Sequence, residues 1–293
     1  MGENVTGEDI RVRQKIRLIA FDMDGTVLDD HKRILPETKE AFARAVEQGI
    51  VLMPATGRHF SGAVDVIREI DGVEYIMTCN GAGIYEMASG HCLFEESMEL
   101  SSFLPMLKRL DELEVAADPF VKGEALMNER KWSLVEEMHL SPELEQYMWT
   151  SRKRVPDLLT SLEEQGDNVE KLTINFVVEE DGMRRNYDEV LSVLADYPQF
   201  DAVPGGMYNI EVTKKGISKG SGLRWIGQRL GISTREMIAF GDSGNDLSML
   251  ETAGIGVAMG NAENEAKEVA DYVTKSNNEN GIAFALHKFC PNL

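Results

Sequence analysis

The chain has 293 residues, and 43% of them are hydrophobic, which is enough for one large α/β domain or two smaller ones with a packed core. It carries 30 Lys plus Arg against 50 Asp plus Glu, a net charge of -20, which argues against nucleic acid or an anionic membrane as a main partner. An acidic surface also slows the approach of phosphorylated anions. Any phosphate site in this chain therefore needs local cations of its own.

Cysteine spacing and apolar run lengths indicate the compartment. Cys79, Cys92 and Cys290 lack zinc-ligand spacing, which predicts free thiols in a reducing cytoplasm. No apolar run approaches the ~20 residues needed to span a bilayer. The N-terminus is polar and acidic, unlike a signal peptide, and its first dozen residues are predicted to be a flexible lead. We therefore expect a cytoplasmic protein without a membrane partner.

The first predicted strand, residues 18–21, is a continuous apolar run, as expected for a central parallel strand covered on both faces. Asp22 and Asp24 follow it, at the sheet edge where open α/β sheets bind ligands. Two carboxylates placed there repel each other unless a cation or a proton lies between them, so the pair predicts a metal. The alternative, an Asp-Gly hairpin turn at Gly25, fits less well because the flanking residues do not alternate.

A second apolar run, residues 50–55, delivers polar groups to the same predicted edge. Thr56 can hydrogen-bond a phosphoryl oxygen through its hydroxyl, and Gly57 can present its N–H at the start of the helix predicted over residues 61–70. The alternative is a simple helix cap. His59, beside Arg58, is expected at the surface.

Alternating strands and helices predict a doubly wound parallel sheet, interrupted by one inserted module. From about Ile84 a hairpin pattern with a turn at Ser89-Gly90 marks the start of this module, which contains a strand over 171–178 and an antiparallel sheet. Residues 201–213 are predicted to hold its last strand and a return strand of the first domain. The predicted division is a core of residues 1–84 and 206–293 and a cap of residues 85–205.

The last part of the chain resumes the α/β rhythm. A helix is predicted over residues 219–230, and Lys219 at its start runs against the preference for acids near that end of the helix dipole, which suggests a bound anion. The alternative is a solvated surface lysine. Asp242, Asn245 and Asp246 then follow a predicted strand, and such a cluster indicates a hard cation with oxygen ligands. A calcium-binding EF-hand loop is the competing interpretation, but its ligand spacing is absent.

The segments DMDGTVLD, TGR, SKG and GDSGND together resemble the haloacid dehalogenase (HAD) superfamily of phosphatases, and in particular its Cof-type subfamily IIB. The resemblance covers most of the chain and implies a Rossmann-like core with the larger α/β type of cap. It also implies that Asp22 is the nucleophile that becomes an aspartyl-phosphate. Asp24 is implied to be the general acid and then the general base.

The resemblance assigns roles to the remaining residues and implies one Mg²⁺ ion. Lys219 would neutralise the transferring phosphoryl group, Asn245 would help to bind phosphate, and Asp246 would orient Lys219 or a metal-bound water. Mg²⁺ would be held by the Asp22 carboxylate, the Asp24 backbone carbonyl and Asp242. Two further matching residues have local expected roles: Asn80 near the substrate entrance and Asn261 as a helix N-cap.

These expectations describe a magnesium-dependent phosphatase, a monomer or homodimer, that acts on a small phosphorylated metabolite such as a sugar phosphate or pyridoxal phosphate. The cap would close over the site and select the leaving group. The alternatives are a phosphomutase with the same nucleophile and a non-catalytic, metal-dependent phosphate sensor. Asp24 argues against the sensor, since a long-lived acyl phosphate is better preserved without a general base beside it.

Overall fold

The computed structural model describes residues 15–205, 208–291 and 293. The predicted N-terminal lead, the first dozen residues, lies outside the described residues. In chain order, the strands are β1 (Leu18–Phe21), β2 (Val51–Pro54), β3 (Tyr75–Thr78), β4 (Gly83–Glu86), β5 (Cys92–Glu95), β6 (Val115–Val121), β7 (Glu124–Asn128), β8 (Arg152–Val155), β9 (Lys171–Phe176), β10 (Phe200–Pro204), β11 (Asn209–Lys214), β12 (Met237–Gly241), β13 (Ile255–Ala258) and β14 (Tyr272–Val273). The helices are α1 (Pro36–Glu47), α2 (Phe60–Ile67), α3 (Leu100–Asp111), α4 (Trp132–Glu137), α5 (Pro142–Ser151), α6 (Leu158–Gln165), α7 (Tyr187–Ala195), α8 (Lys219–Leu230), α9 (Leu247–Thr252), α10 (Asn264–Val269) and α11 (Gly281–Phe289).

A parallel sheet in the order β14-β13-β12-β1-β2 forms the centre of the core. β1 lies between β12 and β2 and pairs in parallel with both. Every residue of β1 and β12 is buried, as their continuous apolar sequences require in a sheet covered on both faces. α9 packs on β12 and β13, and α1 contacts α11. The predicted doubly wound α/β core is therefore confirmed.

The hairpin β4–β5 extends the core instead of opening the cap. It forms a three-stranded antiparallel sheet in the order β3-β4-β5, and a parallel bridge from Ala55 to Met77 joins β3 to the end of β2. Ile84 packs in the same hydrophobic cluster as the parallel sheet, and the Phe94 ring lies 4.8 Å from that of Trp225 on α8. The predicted turn at Gly90 is present, and the packing of the hairpin with the core favours a start of the inserted module after β5, later than the predicted start at Ile84.

The inserted module contains a second sheet in the order β10-β11-β9-β6-β7-β8. Its strands pair antiparallel, as predicted, except for β7 and β8, which are parallel. Helices α3, α6 and α7 share a hydrophobic cluster with one face of this sheet. Ile174 and Val212, in the middle of β9 and β11, are both in that cluster and are buried.

β11 corrects the predicted domain boundary. It was expected to return to the core, but it pairs with β10 and β9 in the second sheet. Its sequence alternates polar and apolar residues, which suits a strand with two different faces better than a strand of a doubly covered parallel sheet. We propose a core of residues 15–95 and 215–293 and a cap of residues 96–214 within the described ranges, in place of the predicted division at Gly205.

The structure also describes the cysteines and the lengths of the helices. Cys79, Cys92 and Cys290 are free thiols, as predicted. Among the helices of the described residues, none has the length and apolar character needed to cross a bilayer.

Candidate active site

The first residue of α8, Lys219, lies at the centre of the candidate site. Its ammonium group donates to Asp22 Oδ1 and to Asp246 Oδ1, each at 2.6 Å. Lys219 is fully buried, so the alternative of a solvated surface lysine is excluded. Ser218 caps the helix through its side chain, which accepts from Ser221 N and places Lys219 in the first turn. The lysine therefore joins the carboxyl ends of β1 and β12.

The Asp246 carboxylate accepts hydrogen bonds both from Lys219 and from its own loop. While Oδ1 accepts from Lys219, Oδ2 accepts from the backbone N–H groups of Asp242 and Ser243, at 2.9 and 3.2 Å. With these donors the carboxylate is well satisfied although it is fully buried. This geometry suits a residue that orients Lys219, which is one of the two roles that the resemblance implies for it.

Asp242 lies against the turn that follows β1. Thr26 donates its hydroxyl to Asp242 Oδ1 at 2.9 Å, so in this structure that hydroxyl contacts a carboxylate. Gly25 has a φ of +79°, and a Cβ built there would lie only 2.4 Å from Asp242 Oδ2. Both the left-handed backbone and the close approach therefore require glycine at this position.

The carboxylates of Asp22, Asp242 and Asp246 can each place one oxygen within 4.8 Å of the others. Burial raises the pKa of Asp22 well above its usual value despite the charge of Lys219. Burial and the neighbouring Asp246 raise the pKa of Asp242 to about 7. A bound cation would relieve this crowding of buried negative charge, and carboxylate oxygens are the ligands that Mg²⁺ prefers. The residues present therefore fit a hard divalent cation.

The Asp24 side chain points toward two cations instead of the carboxylate cluster. Arg58 donates to it twice, from Nε at 2.8 Å and Nη2 at 2.7 Å, and Lys32 donates at 2.7 Å. Burial alone would raise the pKa of Asp24, but the charge and hydrogen bonds of Arg58, followed by those of Lys32, lower it to about 2. In this structure Asp24 is a clamped carboxylate. Lys32 was not identified from the sequence, and it carries no motif signal.

Thr56 and Gly57 lie in a short loop between β2 and α2. The Thr56 side chain is buried, and its hydroxyl oxygen accepts from Arg58 N at 3.1 Å. Helix α2 begins only at Phe60, and its N-cap is His59, whose Nδ1 accepts from Gly62 N at 3.2 Å. Thr56 is therefore not the cap of that helix, and Gly57 is not at its start as was predicted. The Thr56 hydroxyl proton can still be donated to a ligand.

Asn245 connects the loops of the candidate site to the cap. Its amide nitrogen lies 3.3 Å from both Asn80 Oδ1 and Glu211 Oε2. Asn80 in turn donates to Glu211 at 2.6 Å, and the Glu211 carboxylate on β11 pairs with Lys171 on β9. A Cβ on Gly57 would lie 3.0 Å from both Asn80 Oδ1 and Glu211 Oε1. The cap therefore contacts the proposed phosphate loop directly, through Glu211 and Lys171, which the sequence did not single out.

Two local expectations are wrong. His59 is completely buried instead of exposed, because its ring packs at 5.2 Å against Phe120 of the cap and its Nδ1 lies 3.2 Å from Gly123 O. Asn261 is not an N-cap, since Glu263 occupies that position at α10. Instead Asn261 donates to Gly25 O at 2.8 Å and accepts from Asn277 N, which supports the loop after β1.

The fold and this strand-end constellation define an enzyme with a doubly wound, HAD-type α/β core and an inserted cap. A family model described as haloacid dehalogenase-like hydrolase matches residues 19–286, and the chain belongs to that family. It is 30% identical to the 5-amino-6-(5-phospho-D-ribitylamino)uracil phosphatase YcsE of Bacillus subtilis, over 92% of this chain and 94% of the relative.

Further relatives and structures agree with this assignment. The chain is 28% identical to the pyridoxal phosphate phosphatase YbhA of Escherichia coli, over 91% of this chain and 96% of that protein. The solved structure of the HAD subclass IIB sugar phosphatase BT4131 superposes with a TM-score of 0.76 at 26% identity, covering 94% of this chain and 99% of its own. The resemblance to the HAD superfamily is thus confirmed, and the chain is a phosphoric monoester hydrolase.

Proposed function

We propose that this chain is a Mg²⁺-dependent phosphatase that hydrolyses small phosphorylated metabolites through an aspartyl-phosphate on Asp22. The observation that carries the proposal is the buried contact of Asp22 with Lys219, which Asp246 holds in place. A fixed cation beside the attacking carboxylate lies where phosphoryl charge would develop. Such preorganised charge does most of the work in phosphoryl transfer.

In the first step, an Asp22 carboxylate oxygen forms a bond to phosphorus as the bond to the leaving oxygen breaks, and Asp24 donates its proton to that oxygen. In the second step, Asp24 removes a proton from water, the water oxygen bonds to phosphorus, and the bond to Asp22 breaks. The clamp of Arg58 and Lys32 stabilises the ionised Asp24 that the second step needs. A phosphoryl dianion nearby would raise the pKa of Asp24 toward the acid form for the first step.

Mg²⁺ would be held by the carboxylates of Asp22 and Asp242 and the backbone carbonyl of Asp24, where it would neutralise charge on the phosphoryl oxygens. Thr56 and Asn245 would bind those oxygens from the other side, together with the N–H of Gly57. The acidic oxygen donors of the cluster support this assignment.

The relatives support small phosphorylated metabolites as substrates. Their names specify a phosphoribitylamino-uracil, pyridoxal phosphate and sugars. We propose that the cap of this chain closes over a substrate of this size. We also propose that the protein acts in the cytoplasm, as a monomer or a homodimer. The direct contact of Glu211 with Asn245 and Asn80 supports a leaving group enclosed between cap and core.

The test is kcat/KM across a panel of sugar phosphates, nucleotides, pyridoxal phosphate and p-nitrophenyl phosphate, after chelation and with added Mg²⁺. Rapid quenching followed by mass spectrometry should identify a phosphorylated peptide that contains Asp22. Phosphate release that is indifferent to chelation would contradict the metal, and a label on any other residue would contradict the nucleophile. Transfer of the phosphoryl group to a second position of a sugar would indicate the phosphomutase. A stable phosphoenzyme without turnover would indicate the phosphate sensor.

A further inference from the structure

One face of the cap sheet is polar although it is almost entirely buried. Alternate residues of neighbouring strands point to the same side of a sheet. On β9 the apolar residues Leu172 and Ile174 pack under the cap helices. The other face carries Asp118 on β6, Lys171, Thr173 and Asn175 on β9, and Asn209 and Glu211 on β11. We call these six residues the polar cap face.

One end of the polar cap face meets the catalytic loops of the core. Glu211 accepts hydrogen bonds from Asn80 and Asn245, and its partner Lys171 lies beside it. A Cβ on Gly57 would lie 3.3 Å from Lys171 Nζ. This end therefore lies directly against the loop that we propose to bind phosphate.

The other end connects to the proposed acid and base. Asp118 is paired with Arg152 at 3.3 Å, and the Arg152 guanidinium lies 5.1 Å from the centre of the Tyr147 ring. Arg58 packs against the same ring at 4.6 Å and holds Asp24. The polar cap face thus runs between two core contacts, Asn245 and the Arg58–Asp24 pair. Because both contacts belong to the candidate site, we expect a leaving group on phosphorus at Asp22 to lie against this face.

Three atoms of this face are buried and have no hydrogen-bond partner within the described ranges: Asp118 Oδ1, Thr173 Oγ1 and Asn209 Oδ1. Only six such side-chain atoms occur among the described residues, so half of them lie on one face. Buried polar atoms in folded proteins nearly always have a partner. Thr173 pairs in register with both Asp118 and Glu211, which places its hydroxyl between the two ends of the face. The clustering therefore points to a ligand.

The chemistry of the unpaired atoms defines that ligand. Carboxylate and amide oxygens only accept, and a hydroxyl can accept or donate, so the ligand must offer O–H or N–H donors. The two cations beside these atoms, Lys171 and Arg152, are already paired with Glu211 and Asp118. A second anionic group would have to displace one of those carboxylates. An ammonium group would be repelled by the same two cations. The surroundings therefore favour an uncharged ligand with several hydrogen-bond donors, as a polyol has.

We propose that Thr173 and Asp118 determine specificity by binding hydroxyl groups of a polyhydroxylated, uncharged leaving group. This inference rests on the proposed phosphatase function and names the substrate class for the same site. Asn209, on the neighbouring strand, supplies a third acceptor. Burial raises the pKa of Asp118 to about 6 despite Arg152 and Asn175, which agrees with a carboxylate that lacks donors for one oxygen.

The test compares substrates with and without hydroxyls on the leaving group. Glucose 6-phosphate, ribose 5-phosphate and sorbitol 6-phosphate are compared with p-nitrophenyl phosphate in wild type, Thr173→Val and Asp118→Asn. Thr173→Val should lower the ratio of kcat/KM for the best polyol phosphate to that for the aryl phosphate by about three- to tenfold, the effect of one neutral hydrogen bond. Asp118→Asn should lower it by about tenfold or more, since a charged acceptor is lost.

Thr213→Val is the matched control, because Thr213 is a buried threonine of β11 whose hydroxyl already donates to Ile217 O. It should leave the ratio unchanged. A parallel fall for both kinds of substrate in Thr173→Val, or an unchanged ratio in both variants, would overturn the inference. So would a wild-type enzyme that hydrolyses the aryl phosphate but none of the polyol phosphates. Absence of turnover of every phosphate by wild type would instead overturn the proposed function itself.

Discussion

The two main sheets of this molecule carry their polar residues in different ways. In the parallel sheet the strands are apolar throughout, and Asp22 and Asp242 appear only where β1 and β12 end. In the cap sheet the polar residues alternate along the strands, as Lys171 and Thr173 do on β9. A site at strand ends depends on the positions of a few loops, which the fold fixes together. On a polar sheet face, by contrast, a single residue can be substituted without moving the others. The first arrangement suits constant chemistry, and the second suits a variable leaving group.

The two regions also differ in how completely their polar groups are paired. In the core, Lys219 contacts two carboxylates, and both oxygens of Asp246 accept hydrogen bonds. On the polar cap face, Asp118 and Thr173 each have a buried atom without a partner among the described residues. A fully paired network holds its geometry before substrate arrives, which is what a nucleophile site requires. An incompletely paired face gains its missing hydrogen bonds when a ligand binds.

The largest expected effect is that of Asp22→Asn, which removes the carboxylate that we propose attacks phosphorus. It should lower kcat for every substrate by at least about 10³-fold, because an amide cannot replace the nucleophile. The fold should persist, since the amide oxygen can still accept from Lys219. Asp30→Asn, in the same loop, is the matched control, because Asp30 is exposed and its carboxylate accepts hydrogen bonds from the side chains of Asn277 and Asn278. Measured turnover of Asp22→Asn above a trace, with the control active, would refute the assignment.

The next effect compares the two buried lysines. Lys219→Met leaves two buried carboxylates without their cation and should lower the free energy of unfolding by about 3–5 kcal/mol. Lys171→Met should cost less, because Glu211 keeps its hydrogen bonds from Asn80 and Asn245.

Urea unfolding of both variants measures the difference, with Lys214→Met as the control. Lys214 is paired with Glu96 but is 45% exposed, so its loss should cost below about 1 kcal/mol. If Lys171→Met lowers the free energy of unfolding more than Lys219→Met does, the Lys171–Glu211 pair of the cap contributes more to stability than the Lys219 network of the core.

Much of the core site could be predicted from the sequence, and the reason is local. Asp22 and Asp242 directly follow apolar runs, and the ends of parallel strands converge on one edge, so their approach needs no knowledge of side-chain conformations. The position of Lys219 at the start of a helix could also be predicted, because it depends only on the local sequence. The sheet of the core and the antiparallel pairing of the cap followed from strand patterns.

Features that depend on distant pairing could not be read in this way. The pattern of β11 indicates a strand but not the strands that pair with it, so the sequence predicts a core strand where β11 in fact pairs with β9 of the cap sheet. His59 is polar in sequence and is buried only because the cap covers it. Thr173 gains significance only from its register opposite Asp118. The clamp of Arg58 on Asp24 depends on side-chain conformations that no spacing reveals.

His59 gives a pH test of the contact between core and cap. Burial, and then the charge of Arg152, lower its pKa to about 4, against about 6.5 in the unfolded chain. The unfolded chain therefore binds the extra proton first as pH falls. The contribution of neutral His59 to the free energy of unfolding is fully present above about pH 6.5 and falls as the pH drops toward 4. At pH 5 the loss is about 2 kcal/mol.

His59→Gln should be less stable than wild type at about pH 7.5, but the gap in Tm should narrow at about pH 5, because glutamine does not titrate. Differential scanning fluorimetry at the two pH values measures both changes, and the carboxylates shared by the two proteins cancel in the comparison. A gap in Tm that is constant with pH would mean that His59 is not held neutral between the core and the cap.

The smallest expected effect concerns Tyr147, the cap residue that contacts Arg58. The ring lies 4.6 Å from the guanidinium that clamps Asp24, so cap position and Asp24 orientation are linked through one cation–π contact. Tyr147→Leu should lower kcat about two- to fivefold, the value of a partly exposed contact of this kind. Tyr147→Phe keeps the ring face and should retain wild-type kcat. If the two variants lose activity equally, the effect comes from the hydroxyl and not from the ring, and the cap and Asp24 are not linked through the contact of this ring with Arg58.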